Sequence, residues 1–298
     1  MENVLPSTIV VKGSAFSRWL DLFRVILTIG VVCNHAAMIE AGTDYPFYLA
    51  VMRVICGVTE FCFVQLFFVL SGYLFFLNIP EKPSVIYFAT KLKKRVFSLL
   101  IPYLIANILF WICYWVAGKF APSLISGFFG DKLRDPLFVF WTGPVNLSLW
   151  FIRELIICCL LSPIIWLLIH YTRFVGVLAL GVLFAFHIGP APVFFFTLGA
   201  WPAIRHFKSE AVESWTERHP VNIMPSSRAW CFFIYLYHYL LLIGIKKALV
   251  YLLHPASSIG FLACYVASVL LVLLSLTLIY RLLRHFLPKI TSVLIGGK

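Results

Sequence analysis

The chain has 298 residues, of which 62% are hydrophobic and only 12% are charged, and its mean hydropathy is +0.96. A soluble domain is about 45–50% apolar and about 25% charged, so this composition excludes a soluble enzyme, a disordered protein, a disulfide scaffold and a coiled coil. Lys and Arg outnumber Asp and Glu by 24 to 12. The basic residues are not interleaved with aromatic ones on a polar surface, which argues against nucleic acid as a partner. A protein with several membrane spans remains.

Long apolar runs predict one integral-membrane domain, residues 1–298, built as an all-α bundle of about eight transmembrane helices. A helical span needs about 20 apolar residues. The predicted helices are residues 20–39, 54–77, 96–117, 147–169, 174–188, 193–204, 229–253 and 259–283. Two longer polar segments, 118–146 and 205–228, interrupt the series, and the first of them is long enough to fold over the mouth of a site.

The placement of the basic residues predicts that both termini are cytoplasmic. If the eight helices alternate, 16 Lys and Arg residues fall on the side of the termini and 6 on the outer side, while Arg24 and Arg153 lie within helices. An excess of basic residues marks the cytoplasmic side of a membrane protein. The eight cysteines show no metal-ligand spacing, so we expect small buried hydrophobic residues there and no metal site.

The first predicted helix carries ionisable residues that are costly in lipid and are therefore functional candidates. Arg24 and His35 are eleven residues apart, which places them on one helix face with a rise of about 16 Å between them. Asp21 lies one turn before Arg24 and can pair with it. The alternative is that Arg24 extends to the membrane interface and that His35 is a hydrogen-bonded packing residue.

Three other helices carry polar candidates. In the second helix we expect Glu60 near the depth of His35, and Ser71 with the following glycine permits close helix approach. In the fourth helix Trp150, Arg153 and Glu154 lie near the outer end, and the last two point about 100° apart, so they need not pair with each other. The seventh helix carries Tyr235 and His238. Both are candidate site residues; the alternative is an aromatic belt, but the histidine lies too deep for that role alone.

Six segments, in this order, resemble the acyltransferase 3 family of bacterial integral-membrane acyltransferases. That family is marked by an Arg and a His separated by ten residues, as Arg24 and His35 are. The segments are SRWLDLFRVILTIGVVCNHA, LFFVLSGYLFF, KLKKRVFSLLIPYL, LWFIRELIICCLLSP, FFFTLGAW and FFIYLYHYL. Members of the family usually have ten helices, so the resemblance predicts that the chain lacks one helix pair, between residues 204 and 228.

The resemblance implies a multi-pass protein of the bacterial inner membrane that transfers an acyl group. The donor would be a cytoplasmic acyl-CoA, usually acetyl-CoA, and the acceptor a hydroxyl of a cell-envelope or exported polysaccharide or a lipid-linked glycan. A cationic mouth would hold the phosphates of the donor, with Ser71 beside it. The residues expected at this mouth are Arg24, Lys91, Lys94 and Arg95.

The resemblance also implies a catalytic role for His35. Imidazole can take the proton of a hydroxyl near neutral pH, or it can accept the acyl group covalently and pass it on. Arg153, or backbone donors near Ser71, would stabilise the oxyanion.

Two alternative functions remain at this point. Buried Arg and His residues also suit a transporter or flippase for an anionic or glycan-linked substrate, although the sequence shows none of the repeated halves common in transporters. The missing helix pair is compatible with an inactive, shortened relative.

Overall fold

The computed structural model describes residues 15–38, 44–120, 141–143, 146–207, 210–224 and 226–297. Across these ranges the regular structure is helical and contains no strand, which confirms the predicted all-α bundle. Most of the predicted connection 118–146 lies outside the described residues.

The helices are α1 (Ala15–His35), α2 (Pro46–Val58), α3 (Val64–Phe76), α4 (Val85–Arg95), α5 (Ile101–Phe120), α6 (Trp150–Leu160), α7 (Ser162–Thr172), α8 (Phe174–Ala185), α9 (Ala191–Ile204), α10 (Glu210–Arg218), α11 (Ser227–Leu253), α12 (Ser258–Phe286) and α13 (Pro288–Leu294). Two π-helical segments, Thr59–Phe63 and Val96–Leu100, join α2 to α3 and α4 to α5, so that each pair forms one continuous helix. A 3-10 turn, Leu147–Leu149, leads into α6.

Four helices in the described part of the chain are long and apolar enough to cross a membrane, namely Pro46–Phe76, Val85–Phe120, Ser227–Leu253 and Ser258–Phe286. The pair α6 and α7 forms a fifth candidate, bent by 58°. Pro163 in the first turn of α7 explains the bend, because proline cannot donate the backbone hydrogen bond that would continue α6. The shorter helices α8 and α9 are also apolar, whereas α1 combines 21 residues with three charged side chains.

In the structure, the second and third predicted helices begin several residues before the apolar runs from which they were predicted. They begin at Pro46 and Val85 rather than at residues 54 and 96, so the basic residues 91–95 lie in a helix instead of a loop. Ser84 starts α4 by accepting a hydrogen bond from the backbone N–H of Tyr87 at 3.1 Å. Hydropathy misses this helix because α4 is amphipathic and its polar face dilutes the apolar signal. The π-helical turn that follows it precedes Pro102, whose ring would clash with the carbonyl four residues earlier in a regular α-helix.

The helices α3 and α9 pack at backbone contact. A Cβ atom added to Gly72 would lie 2.0 Å from the carbonyl oxygen of Phe196, and one added to Gly199 would lie 1.8 Å from that of Val69. Only glycine permits this approach at both positions. The predicted close helix contact beside Ser71 is thereby confirmed, and α9 is the partner.

The polar segment 205–228 contains α10, a helix of nine residues that the sequence analysis did not predict. It packs on α1, where the rings of Trp19 and Trp215 lie 5.0 Å apart and the Trp19 indole donates to the carbonyl of His219 at 2.8 Å. A helix of this length, about 14 Å, cannot span a membrane. The described residues between α9 and α11 therefore contain no additional transmembrane pair.

Candidate active site

Two cavities in the bundle share one wall. The first, which we call the basic cavity, measures about 260 Å³ and is lined by Arg24, Ser71, Arg95 and Arg228 together with apolar side chains of α3, α6 and α11. The second, the histidine cavity, measures about 320 Å³ and is lined by polar and apolar side chains from α1, the second span and the start of α6. Its polar lining consists of Asn34, His35, Thr59, Glu60, Gln65, Ser148 and Trp150.

Three aromatic residues line both cavities and form the wall between them, which we call the aromatic septum: Phe67, Phe151 and Tyr235. The ring of Phe151 lies 5.6 Å from that of Phe67 and 5.7 Å from that of Tyr235, within the range of favourable aromatic contacts. The Tyr235 hydroxyl donates to the backbone carbonyl of Ser148, which anchors this ring to the turn before α6. The predicted candidate Tyr235 therefore separates the two cavities rather than lying in an aromatic belt.

Asp21 organises the arginines of the basic cavity. Its carboxylate accepts hydrogen bonds from Arg24 and, at 2.7 Å, from Arg228, which confirms the predicted pairing with Arg24. Arg228 also donates to the Ser17 hydroxyl at 2.6 Å. One carboxylate therefore serves two of the three guanidinium groups that line this cavity, and the excess positive charge suits an anion.

Arg228 was not among the predicted site residues. In the sequence its charge bears on membrane orientation only, and its partner Asp21 is 207 positions away in the chain. No pattern in the neighbouring sequence predicts an ion pair between residues so far apart.

His35 is the last residue of α1, and side chains from other helices satisfy the carbonyl groups around it. Lys246 of α11 donates to the carbonyls of His35 and Ala37 at 3.2 and 2.6 Å, and Tyr265 of α12 donates to that of Cys33 at 3.1 Å. Lys246 is one of the six basic residues predicted for the outer side, and in the structure its side chain fixes the end of α1. The backbone of His35 is thus held while its imidazole lines a cavity.

A second imidazole lies next to that of His35. The ring of His238 is 5.4 Å from the His35 ring and fully buried, and the Tyr239 ring is 5.3 Å from His35. The Nδ1 atom of His238 lies 2.9 and 3.1 Å from the carbonyl oxygens of Tyr235 and Ile234. Because a carbonyl can only accept, Nδ1 carries a proton in this arrangement. The predicted candidates His35 and His238 are thus brought together.

Neither of the two predicted donor-binding lysines lines the basic cavity. The ammonium group of Lys91 donates to the carbonyl of Phe75 and lies 5.2 and 4.8 Å from the ring centres of Phe75 and Tyr87, so it caps the end of α3. Lys94 is exposed and lines neither cavity. Of the four cations expected at the mouth, Arg24 and Arg95 line the basic cavity.

Arg153 and Glu154 form an ion pair at 2.7 Å, although the sequence analysis expected no need for them to pair. Rotation of the long Arg153 side chain overcomes the angle between the two Cβ directions, and its guanidinium also donates at 2.9 Å to the carbonyls of Trp141 and Thr142. Arg153 therefore holds the segment before α6 and lines neither cavity, whereas its neighbour Trp150 lines the histidine cavity.

Comparison with known proteins adds two findings. A family model described as an acyltransferase domain matches residues 17–212, a range that runs from the third residue of α1 into the first turn of α10. The succinoglycan biosynthesis protein ExoH of Rhizobium meliloti (strain 1021) is 30% identical over 186 residues, which are 58% of this chain and 48% of that protein. The chain thus spans about half the length of this curated relative. No solved structure matches.

Proposed function

Because the chain belongs to the acyltransferase 3 family, we propose that it is a membrane enzyme that transfers an acyl group, usually acetyl, from a cytoplasmic acyl-CoA to a carbohydrate hydroxyl. The observation that carries this proposal is the pair of cavities on the two sides of the aromatic septum. One is lined by three arginines and the other by His35. Acyl-CoA has a polyanionic end, which matches the cavity lined by arginines, and a long thin arm that ends in the thioester, which matches the cavity lined by His35.

The basic cavity is the proposed binding site for the phosphates at the entry of the donor. Arg24, Arg95 and Arg228 line it, and guanidinium groups bind phosphate oxygens in bidentate geometry. The predominance of basic residues on the side of residues 205–228 and of the C-terminus supports a cytoplasmic opening. The bacterial inner membrane is the location that fits such a donor.

The thioester arm would cross the aromatic septum to reach the histidine cavity. The rings of Phe67 and Tyr235 both contact that of Phe151, and we propose that these contacts close the route between the cavities while the arm is absent. The chain of a pantetheine arm is thin, so a change in the torsion angles of one or two of these rings would admit it. With the arm in place, the three rings would surround it and limit the access of water from the basic cavity to the thioester.

The chemistry we propose takes place at His35. Its imidazole removes the proton from the acceptor hydroxyl, whose oxygen then attacks the thioester carbon. The tetrahedral intermediate collapses as the carbon–sulfur bond breaks, and the proton passes from His35 to the leaving thiolate. The covalent alternative forms an acyl-imidazole first and transfers the acyl group to the hydroxyl in a second step. The amide N–H of Gln65, which lines the same cavity, is a candidate donor to the oxyanion.

A polysaccharide, either exported or in the cell envelope, is the proposed acceptor. The support is the similarity to ExoH, whose name assigns that protein to succinoglycan biosynthesis. Glu60 and Trp150 line the histidine cavity beside His35, and carboxylates and aromatic rings are suited to bind sugar hydroxyls and apolar sugar faces.

The test is acyl transfer by the purified protein, with radiolabelled acetyl-CoA and envelope polysaccharide fractions. We expect label in the polysaccharide, and we expect His35→Gln to lower transfer by at least about 10²-fold, as loss of an acid–base group does. His170→Gln is the matched control, because His170 is exposed and stacks on Trp166 away from both cavities. Near-native transfer by His35→Gln would overturn the mechanism. Binding of acetyl-CoA without any transfer by the native protein would support the inactive relative instead.

A further inference from the structure

A groove continues from the basic cavity along the ends of α11, α12 and α13. It consists of two adjoining cavities of about 290 and 330 Å³, which share the residues Ser226, Tyr280 and Arg284. Arg228 lines both the first of them and the basic cavity. We call this feature the C-terminal groove. The matched family range ends at residue 212, so the groove lies outside it.

Among the described residues that line the C-terminal groove, three are arginines and none is Asp or Glu, and Asp21 compensates only the charge of Arg228. Arg281 and His285 line its second cavity in addition to Arg284, and residues 218–298 contain no Asp or Glu. Among the described residues, the ion pairs formed by Asp21 and Glu154 involve neither Arg281 nor Arg284. The Tyr280 hydroxyl lies 3.4 Å from the Arg284 guanidinium. Guanidinium and hydroxyl donors in one concave site are the groups that bind a phosphate ester.

We propose that the C-terminal groove binds a phosphate ester, and that this ester is the 3′-phosphate at the nucleotide end of the CoA donor. The proposal rests on the proposed function. In CoA, the thioester arm is followed by a pyrophosphate and then by a ribose that carries the 3′-phosphate. The protein presents its groups in the same order, with the aromatic septum, then Arg24 and Arg228, and then Arg284. Arg228 joins the two anion sites, as the ribose joins the two phosphate groups.

An anionic phospholipid headgroup offers the same phosphate ester, since basic pockets between transmembrane helices also bind such lipids. The continuity through Arg228 favours the nucleotide, because a separate lipid site would not need to adjoin the basic cavity. The two sources differ in one way that can be measured: only the nucleotide assignment predicts that the 3′-phosphate strengthens CoA binding.

The experiment compares CoA with dephospho-CoA, which lacks only the 3′-phosphate. Binding is measured by calorimetry on the full chain in phosphatidylcholine nanodiscs. We expect CoA to bind at least about tenfold more tightly, as the loss of one charge-assisted hydrogen bond implies. Arg284→Gln should remove this difference and leave dephospho-CoA binding unchanged. The matched control Arg205→Gln, at an exposed residue outside the groove, should keep the difference.

A second arm replaces part of the phosphatidylcholine with phosphatidylglycerol and counts bound phosphatidylglycerol by native mass spectrometry. Loss of bound phosphatidylglycerol in Arg284→Gln, with equal affinities for CoA and dephospho-CoA, would keep the phosphate-ester site but overturn the nucleotide assignment. If Arg284→Gln and Arg281→Gln change neither measurement, the groove binds no phosphate ester and the proposal fails. If neither CoA nor dephospho-CoA binds at all, the proposed function and the nucleotide assignment fail. The count of bound phosphatidylglycerol then tests by itself whether the groove binds a phosphate ester.

Discussion

The backbone contact between α3 and α9 predicts a large effect of adding one methyl group. In Gly199→Ala the new Cβ atom would lie 1.8 Å from the carbonyl oxygen of Val69 and 2.6 Å from its carbonyl carbon. The obstacle is backbone, so no side-chain rotation can relieve it, and the two helices must separate by more than about 1 Å. A gap of 0.5–1 Å already loses about a quarter to a half of the dispersion energy of a contact.

We therefore expect Gly199→Ala to cost about 3 kcal/mol, at the upper end of the usual 1–3 kcal/mol for overpacking. With about 2–4 °C per kcal/mol for a domain of roughly this size, the melting temperature should fall by about 6–12 °C. A thiol-reactive fluorophore can follow unfolding in detergent, because Cys158, Cys159 and Cys264 are buried. Gly244→Ala is the control, since its Cβ atom would meet nothing within 4 Å, and it should melt no lower than the native protein. A melting temperature for Gly199→Ala within about 2 °C of the native value would refute this reasoning.

Three further predictions concern the site and its orientation. Arg24→Ala should weaken acyl-CoA binding in calorimetry by about tenfold or more. Arg24→Lys should recover part of the loss, because the charge remains but the bidentate fork does not. Equal acyl-CoA affinities of the native protein and Arg24→Ala would show that Arg24 has a structural role only. Lys246→Met removes both hydrogen bonds to the end of α1, so kcat for transfer should fall while acyl-CoA affinity is retained, and an unchanged kcat would contradict the positioning role. In a cysteine-free background, a membrane-impermeant thiol reagent added to intact cells should label Cys at position 257 but not at position 82, and the reverse pattern would invert the proposed orientation.

The sequence predicts the interactions that depend on helix periodicity. Asp21 and Arg24 pair because they lie one helical turn apart. Glu60 and His35 line the same cavity, in agreement with the similar depth in the membrane that counting residues along their helices predicts. The spacing of Arg24 and His35 predicts one shared helix face, and in the structure they line two different cavities that share a wall. Their rise of about 16 Å is enough for the septum to lie between them.

Interactions between distant parts of the chain were not predictable from these patterns. Lys246 binds carbonyls 209 and 211 positions away, and in the sequence it is one of two adjacent lysines within an apolar helix. The hydrogen bonds of Arg153 were also unpredictable, because they are made to the backbone carbonyls of Trp141 and Thr142. Every residue has a backbone carbonyl, so the sequence does not show which of them will accept. Helix starts were missed for a related reason, since hydropathy detects the apolar part of a helix but not an amphipathic turn that precedes it.

The hydrogen bonds of Lys246 also have a mechanical consequence. They tie the end of α1 to α11, so His35 and Tyr235 belong to one stiff unit. The glycine contacts attach α3, which carries Phe67 near its start, firmly to α9. Of the three helices that supply the septum, α6 alone ends in a sharp bend, directly before Pro163. The hydroxyl of Tyr235, however, ties its ring to Ser148 in the turn before α6, so a swing of α6 about this bend would have to break that hydrogen bond. Rotation of the Phe151 and Phe67 rings within the septum is therefore the less constrained way for a thioester arm to pass.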